Sequence, residues 1–254
     1  MDLVDSHCHL DVAAFDADRD RVIATARAAG VTRIVVPAIH ARGWRGLLDL
    51  CGAQPGLYAA LGLHPIYLKE HLDRHVRDLE RKLADSRPVA IGEIGLDFFI
   101  KDLDRGRQRT LFEAQLSLAA VAGLPVLIHA RKSHDQVIAA LRRIRVPGGI
   151  VHAFNGSLQQ AGKYMDLGFK LGFGGMLTFE RSNRLRTLAR DLPLDAVVLE
   201  TDAPDMTVAA HRGERNSPAY LPDVLAALAQ VRDQDPAEVG TKTTANVVDL
   251  LALD

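Results

Sequence analysis

The sequence predicts an α/β domain folded as a single (β/α)8 TIM barrel with a metal site at its C-terminal mouth. Three observations carry that prediction. Eight short apolar runs recur along the 254 residues. They alternate with amphipathic stretches through short links, the pattern of parallel strands joined by crossover helices. Eight such units are the number that closes a barrel. An α/β barrel of this length is commonly one domain, and no Ser/Gly-rich linker or fixed-length repeat divides residues 1–254. An open doubly wound sheet is the alternative, because alternation does not say whether the first strand meets the eighth.

The first expected strand spans residues 3–7 and leads into Cys8-His9-Leu10-Asp11. Period two then places Asp5, His7 and His9 on one face and Cys8 on the other. Helical spacing over 19–29 stops at Gly30, a residue suited to a helix C-terminus. Further strands are expected at 33–37, 58–63 and 89–94, with Glu93 ending the last of them. A long helix over 105–122 stops at Gly123. The fifth strand, 126–129, ends at His129, and the sixth, 149–152, ends at His152, with a helix over 135–144 between them. A helix over 158–167 stops at Gly168, the seventh strand covers 169–173, and the eighth covers 196–200 with Asp202 just beyond. Pro218 opens the last helical stretch, which 236–251 extends.

Composition narrows the function. Hydrophobic residues make up 48 %, enough for a sizeable core, and 31 basic residues against 32 acidic leave a net charge of −1. Attraction of polyanions is therefore not built into the whole chain, and a nucleic-acid contact must come from a local patch or from metals. Two cysteines, Cys8 and Cys51, exclude a disulfide framework or a CxxC zinc site. With no basic leader before the first strand, a cytoplasmic protein is expected. No apolar run approaches the roughly 20 residues of a membrane helix, so no membrane partner is expected. Asn155-Gly156-Ser157 satisfies a glycosylation sequon but lacks a secretory context. Aromatic residues, at 5 %, form no interleaved basic–aromatic platform for single strands.

The chemistry-bearing residues fall at the ends of the expected strands. His7, His9, Glu93, His129, His152 and Asp202 would all converge on one mouth of a barrel. A lone histidine at a strand end is more often a hydrogen-bonded core or surface residue; the joint occurrence carries the inference. Four imidazoles and two carboxylates suit two divalent ions of the Zn, Mn or Ni type, with Mg less at home among imidazoles. Two ions can activate a water, hold substrate oxygens and stabilise a leaving oxygen.

The motifs DSHCHLD, GLHP, GEIGLDF, LPVLIHAR, VHAFNGS and LETDAPDM, followed by Arg215-Asn216-Ser217-Pro218, resemble the TatD family of metal-dependent hydrolases. The Gln108 to Gln115 helix, the segment from Lys170 to Gly175, and Asn246 resemble it as well. The likeness runs in order through nearly the whole chain. It implies a TIM-barrel branch of the amidohydrolase superfamily, deoxyribonuclease activity as ascribed to several members, and His7, His9, Glu93, His129, His152 and Asp202 as ligands.

Roles follow, each with a plainer alternative. Glu93 is expected to bridge two ions; otherwise it is a buried acid paired with Arg131. Asp202 is expected to act as base or proton shuttle; otherwise it caps a turn before Pro204. Glu200 and Asp5 are expected to hold a ligand histidine or a water from behind. His64 resembles a family position at the mouth, suited to contacting phosphate or protonating a leaving group, or it caps a turn. Arg131 can fork onto a phosphate, whereas Lys132 reads as a loop charge. Arg181, Arg184, Arg186, Arg212 and Arg215 could add a positive rim. Trp44 and Phe98 read as packing residues.

The expected activity is hydrolysis of phosphodiester bonds in DNA or oligonucleotides, with no obligate protein partner. A metal-dependent esterase or amidase, for example on aminoacyl esters, is the first alternative, and a non-catalytic metal- or nucleic-acid-binding protein is the second.

Overall fold

Runs rich in Val, Ile and Leu, buried on both faces, are what an all-parallel sheet requires. A computed structural model describes residues 2–254. Among them are eight strands: β1 (Leu3–Asp5), β2 (Val31–Pro37), β3 (Leu57–Leu61), β4 (Ala90–Asp97), β5 (Val126–Arg131), β6 (Gly149–Val151), β7 (Phe169–Phe173) and β8 (Val197–Leu199). Each pairs in parallel with the next in chain order. The helices are α1 (Arg19–Ala28), α2 (Trp44–Ala53), α3 (Arg74–Asp85), α4 (Arg105–Ala122), α5 (His134–Arg143), α6 (Leu158–Met165), α7 (Asn183–Asp191), α8 (Leu221–Arg232) and α9 (Pro236–Leu251). No helix among the described residues is long and apolar enough to cross a membrane.

Val4, Val35, Ala60, Ala90, Leu127, Ile150 and Val198 form an apolar layer inside the barrel, and Val247, Leu251 and Leu253 plug it from below. Their strand neighbours, such as Ile34, Leu61, Ile91, Ile128 and Leu171, face the helices instead. The plug leaves the opposite, C-terminal end free for polar side chains.

The chain after β1 closes onto the chain after β8. Ser6 N donates to Leu199 O at 3.0 Å, Asp202 N to His7 O at 2.8 Å, and His9 N to Ala203 O at 2.8 Å. The Asp5 carboxylate accepts from Thr201 N at 3.0 Å. The barrel is thus (β/α)8 and nearly closed, and the open-sheet alternative does not apply.

Several boundaries differ from the sequence expectation. β1 stops at Asp5, so His7 and His9 lie on the loop beyond it and the period-two argument does not position them. β4 continues to Asp97, which leaves Glu93 within the strand. There a bulge intervenes, because Ile91 pairs with Val126 and Ile94 with Ile128. An extra residue in one strand re-aims the side chain next to it. Gly92 permits the close approach, since a Cβ at that position would lie 2.5 Å from Leu127 Cβ. β3 and β8 also end early, at Leu61 and Leu199; His64 lies on the loop beyond β3, and Asp202 lies beyond β8 as expected. α2, α3 and α7 went unforeseen, the polar α3 and α7 burying only Leu79, and Leu188 with Ala189. Pro218–Tyr220 is a 3-10 turn before α8.

Candidate metal centre

Glu93 sits at the centre of the mouth with its two oxygens facing different imidazoles. Oε2 lies 3.1 Å from His7 Nε2 and 3.5 Å from His9 Nε2. Oε1 lies 3.0 Å from His129 Nδ1 and 3.1 Å from His64 Nε2. Asp202 Oδ1 lies 3.8 and 3.6 Å from the same nitrogens of His7 and His9, and Oδ2 lies 3.4 Å from His152 Nε2. The His152 ring stacks on His7 with centroids 3.7 Å apart. Three donor groups result, each with its atoms within 4.8 Å: His7, Glu93 and His152; His7, His9 and Asp202; His64, Glu93 and His129. All six expected ligands are therefore brought together, and His64 joins them.

The second nitrogen of each ring tells which one is free to bind a cation, because a neutral imidazole has one donor and one acceptor. His9 Nδ1 lies 3.2 Å from Pro37 O; a carbonyl only accepts, so Nδ1 carries the proton and Nε2 offers a lone pair. His152 Nδ1 lies 3.1 Å from Glu200 Oε1 but makes no hydrogen bond there, so its tautomer is not set by that contact. His129 Nε2 donates to Asp97 Oδ2 at 3.1 Å, leaving Nδ1 directed at Glu93. His64 is the exception. Its Nδ1 accepts from Ile66 N at 3.1 Å, so the neutral ring carries its proton on Nε2, which lies 3.1 Å from Glu93 Oε1.

The donor set fits divalent ions. His7 and His9 present Nε2 atoms 3.3 Å apart, with two carboxylates beside them. Lone pairs and negative oxygens converging at such distances share a cation, a proton or a metal ion, and the imidazole–carboxylate mixture suits borderline metals.

Electrostatics point the same way. Burial works to raise the Glu93 carboxyl, yet His64, His7 and His129 outweigh it and hold it well below the usual carboxylate range. Burial also opposes ionisation of Asp202, but His152, His7 and His9 pull it down to about 2. Burial pushes His64 down to about 4 against the pull of Glu93. His9 goes the other way, to about 9, because Glu93 and Asp202 overcome its burial.

The supporting residues differ in part from expectation. Glu200, buried under β7, also accepts from Ala153 N at 2.6 Å. Asp5 holds the backbone of His7, accepting from its N–H at 3.2 Å, rather than its ring. Asp97 supports His129 and was missed, although strand parity with Glu93 marks it. Gln108 anchors it in turn, donating to its carbonyl and accepting from its N–H. Arg131 does not pair with Glu93; its guanidinium lies 3.8 Å over the Phe99 ring at the cavity wall. Lys132 lies 4.9 Å from that ring. His64 does cap the turn that follows it.

Most of the expected arginine rim is committed elsewhere. Arg184 donates to Asn155 O and Gly156 O, Arg186 to Leu177 O, and Arg215 pairs with Asp18. Trp44 is buried and donates to Gly62 O, Phe98 is buried, and Cys8 faces Ala203 O rather than the cluster.

A family profile described as TatD related DNase matches residues 4–252. The "Uncharacterized metal-dependent hydrolase YjjV" of Escherichia coli (strain K12) is 40 % identical over 251 residues, covering 97 % of this chain and 96 % of that protein. The crystal structure of YjjV, a TatD homologue, matches with a TM-score of 0.96 at 38 % identity, covering 99 % of this chain and 98 % of that one. The "3'-5' ssDNA/RNA exonuclease TatD" of Cronobacter sakazakii is 33 % identical over 255 residues, covering 98 % of this chain and 97 % of that protein. The match runs from β1 to the end of α9 and takes in every donor at the mouth, and the chain belongs to the TatD family of metal-dependent hydrolases.

Proposed function

We propose that this chain is a one-domain, divalent-metal-dependent phosphodiesterase that hydrolyses DNA or oligonucleotides. The division of Glu93 carries the reading: one carboxylate directs each oxygen at a separate set of imidazoles, as a bridge between two ions requires. His7, His9, Glu93, His129, His152 and Asp202 would hold the ions, with Glu93 between the two sets of imidazoles. Zn, Mn or Ni suits these donors better than Mg. When bound, the ions lower the pKa of water and offset charge on the phosphoryl and leaving oxygens.

The residues do the rest. Asp202, ionised at neutral pH, accepts the proton of the attacking water at a carboxylate oxygen. His64 stays neutral there, so its Nε2–H hydrogen-bonds a phosphoryl oxygen rather than transferring a proton; of its two expected roles, phosphate contact is favoured. Arg131 offers its guanidinium edge to the neighbouring phosphate. Asp97 keeps His129 in the tautomer that leaves Nδ1 its lone pair, and the Glu200 carboxylate lies behind His152. The name of the Cronobacter relative, an exonuclease on single-stranded DNA and RNA, supports a nucleic-acid substrate.

The test is turnover of a 5′-labelled single-stranded DNA by chelated, metal-restored and Asp202→Asn protein, with products sized on a gel. Cleavage that needs both metal and Asp202 is expected, and the ladder shows exo or endo action. Intact DNA with metal verified in the protein refutes the reading, and turnover of an aryl ester by the same sample would replace it with carbonyl chemistry. Full turnover by Glu93→Ala would remove the site.

A further inference from the structure

A second cavity, of about 370 Å³, opens beside the metal-site cavity of about 760 Å³. Ala153, Asn155, Met176 and Met206 line both, so an occupant of one lies a residue's width from the other. The two differ in chemistry. The larger is walled by histidines and carboxylates, whereas Leu185, Leu188 and the two methionines line the smaller, with Arg181 and Asn183 at its edge. Its volume falls at the low end of the roughly 300–1,000 Å³ of small-ligand sites, room for one nucleoside and not for a folded strand.

The methionines are the informative part. The chain has only four, yet Met176 and Met206 are 41 % and 37 % exposed where the cavities join. Met206 also holds a φ of +54°, a conformation uncommon for such a side chain. Polarisable thioethers favour contact with aromatic rings and adapt to their shape. Phe154 and Phe173 also line the cavity but are fully buried, so the exposed thioethers are the first groups a ligand meets. Asn and Arg side chains match the donor and acceptor edges of a base. Arg184 is tied to backbone carbonyls, which leaves Arg181 and Asn183 at the rim.

We propose that this cavity is a base-binding subsite: it takes the nucleobase of the nucleotide next to the scissile phosphate, packed on Met176, Met206 and Leu185 with its edge read by Asn183 and Arg181. The proposal rests on the phosphodiesterase reading. An aliphatic chain would leave the polar rim unused, so a planar base with hydrogen-bonding edges is the occupant.

The experiment uses the full-length, metal-loaded protein and single-stranded oligonucleotides whose terminal residues are either intact or abasic. KM for the abasic substrate is expected to rise about tenfold, the effect of roughly one stacked base. Leu185→Trp, which fills the cavity, and Met206→Ala, which removes one wall, should each bring the ratio of the two KM values toward one. Because Leu185→Trp could disturb α7, binding of 2-aminopurine deoxynucleoside 5′-monophosphate is followed by fluorescence in the wild type. Competition by dAMP but not by deoxyribose 5-phosphate is expected. Equal KM values for the two substrates, with cleavage intact, overturn the subsite and leave the nuclease reading standing. Absence of any oligonucleotide cleavage and of nucleotide binding overturns both. Equal competition by an alkyl phosphate overturns the base as occupant.

Discussion

Gly172→Ala tests the link between a missing side chain in β7 and metal affinity at the mouth. A Cβ at position 172 would lie 2.2 Å from Glu200 Oε2 and 2.6 Å from its Cδ, where real contacts essentially never fall below 3.0 Å. Glu200 is buried and cannot swing into solvent. Either β7 shifts or the carboxylate leaves Ala153 N and His152 Nδ1. Overpacking of this kind costs about 1–3 kcal/mol, and the stiffer alanine backbone returns about 0.5–1 kcal/mol. The net loss, about 0–2.5 kcal/mol and centred on about 1 kcal/mol, corresponds at its centre to a fall in Tm of about 2–4 °C for a chain of this size. Loss of the group behind a ligand histidine weakens metal binding about 10–100-fold. Thermal melts and competition with a fluorescent chelator measure the two effects. Gly162→Ala in α6 is the control, since a Cβ there meets nothing within 4 Å; it should leave Tm equal or slightly raised. Unchanged Tm and affinity in Gly172→Ala refute the packing argument. A lower Tm with unchanged affinity refutes the role of Glu200 behind His152.

Three further outcomes are expected. Asp97→Asn offers His129 an N–H in place of an acceptor, allowing the proton to move to Nδ1; metal affinity should fall about 10–100-fold, and wild-type affinity by chelator competition would refute the tautomer assignment. Asn216→Ala frees Thr201 O and Asp205 O, which its buried amide now holds at 2.8 and 2.7 Å on either side of Asp202. A loss of about 1–3 kcal/mol follows, measured by urea denaturation, and an unchanged midpoint would contradict it. Chelation should lower Tm more at pH 9 than at pH 6.5. In the metal-free chain His9 is raised to about 9 and His152 also well up, so their contribution is full below the ordinary histidine value of 6.5 and is lost as pH rises through about 9. A bound cation replaces those protons. An equal chelation effect at the two pH values would sink the argument.

Much of the barrel was legible because burial leaves local periodicity. The runs around Val35, Ile128 and Leu171 announce parallel strands, while Gly123 and Pro236 mark helix ends that the structure keeps. The ligand types could be read too, since an ionisable residue after an apolar run is informative by itself. Less visible were α3 and α7, whose narrow apolar stripes leave little periodic signal.

Local pattern alone marks eight strands and six of the nine helices described, with imidazoles or carboxylates after six of the apolar runs. Tertiary structure decided the rest. Closure of the barrel depends on Asp5 meeting Thr201, 196 residues away. Glu93 reaches the centre through a bulge set by pairing with β5, and Pro37 O and Asp97 choose the free nitrogens of His9 and His129. Arg184 and Arg215 looked free in the sequence because their partners, the carbonyls of Asn155 and Gly156 and the carboxylate of Asp18, lie in other segments. Periodicity records how each segment meets the core; tautomer, closure and ion pairing record which distant groups meet one another, and those contacts exist only once the chain has folded.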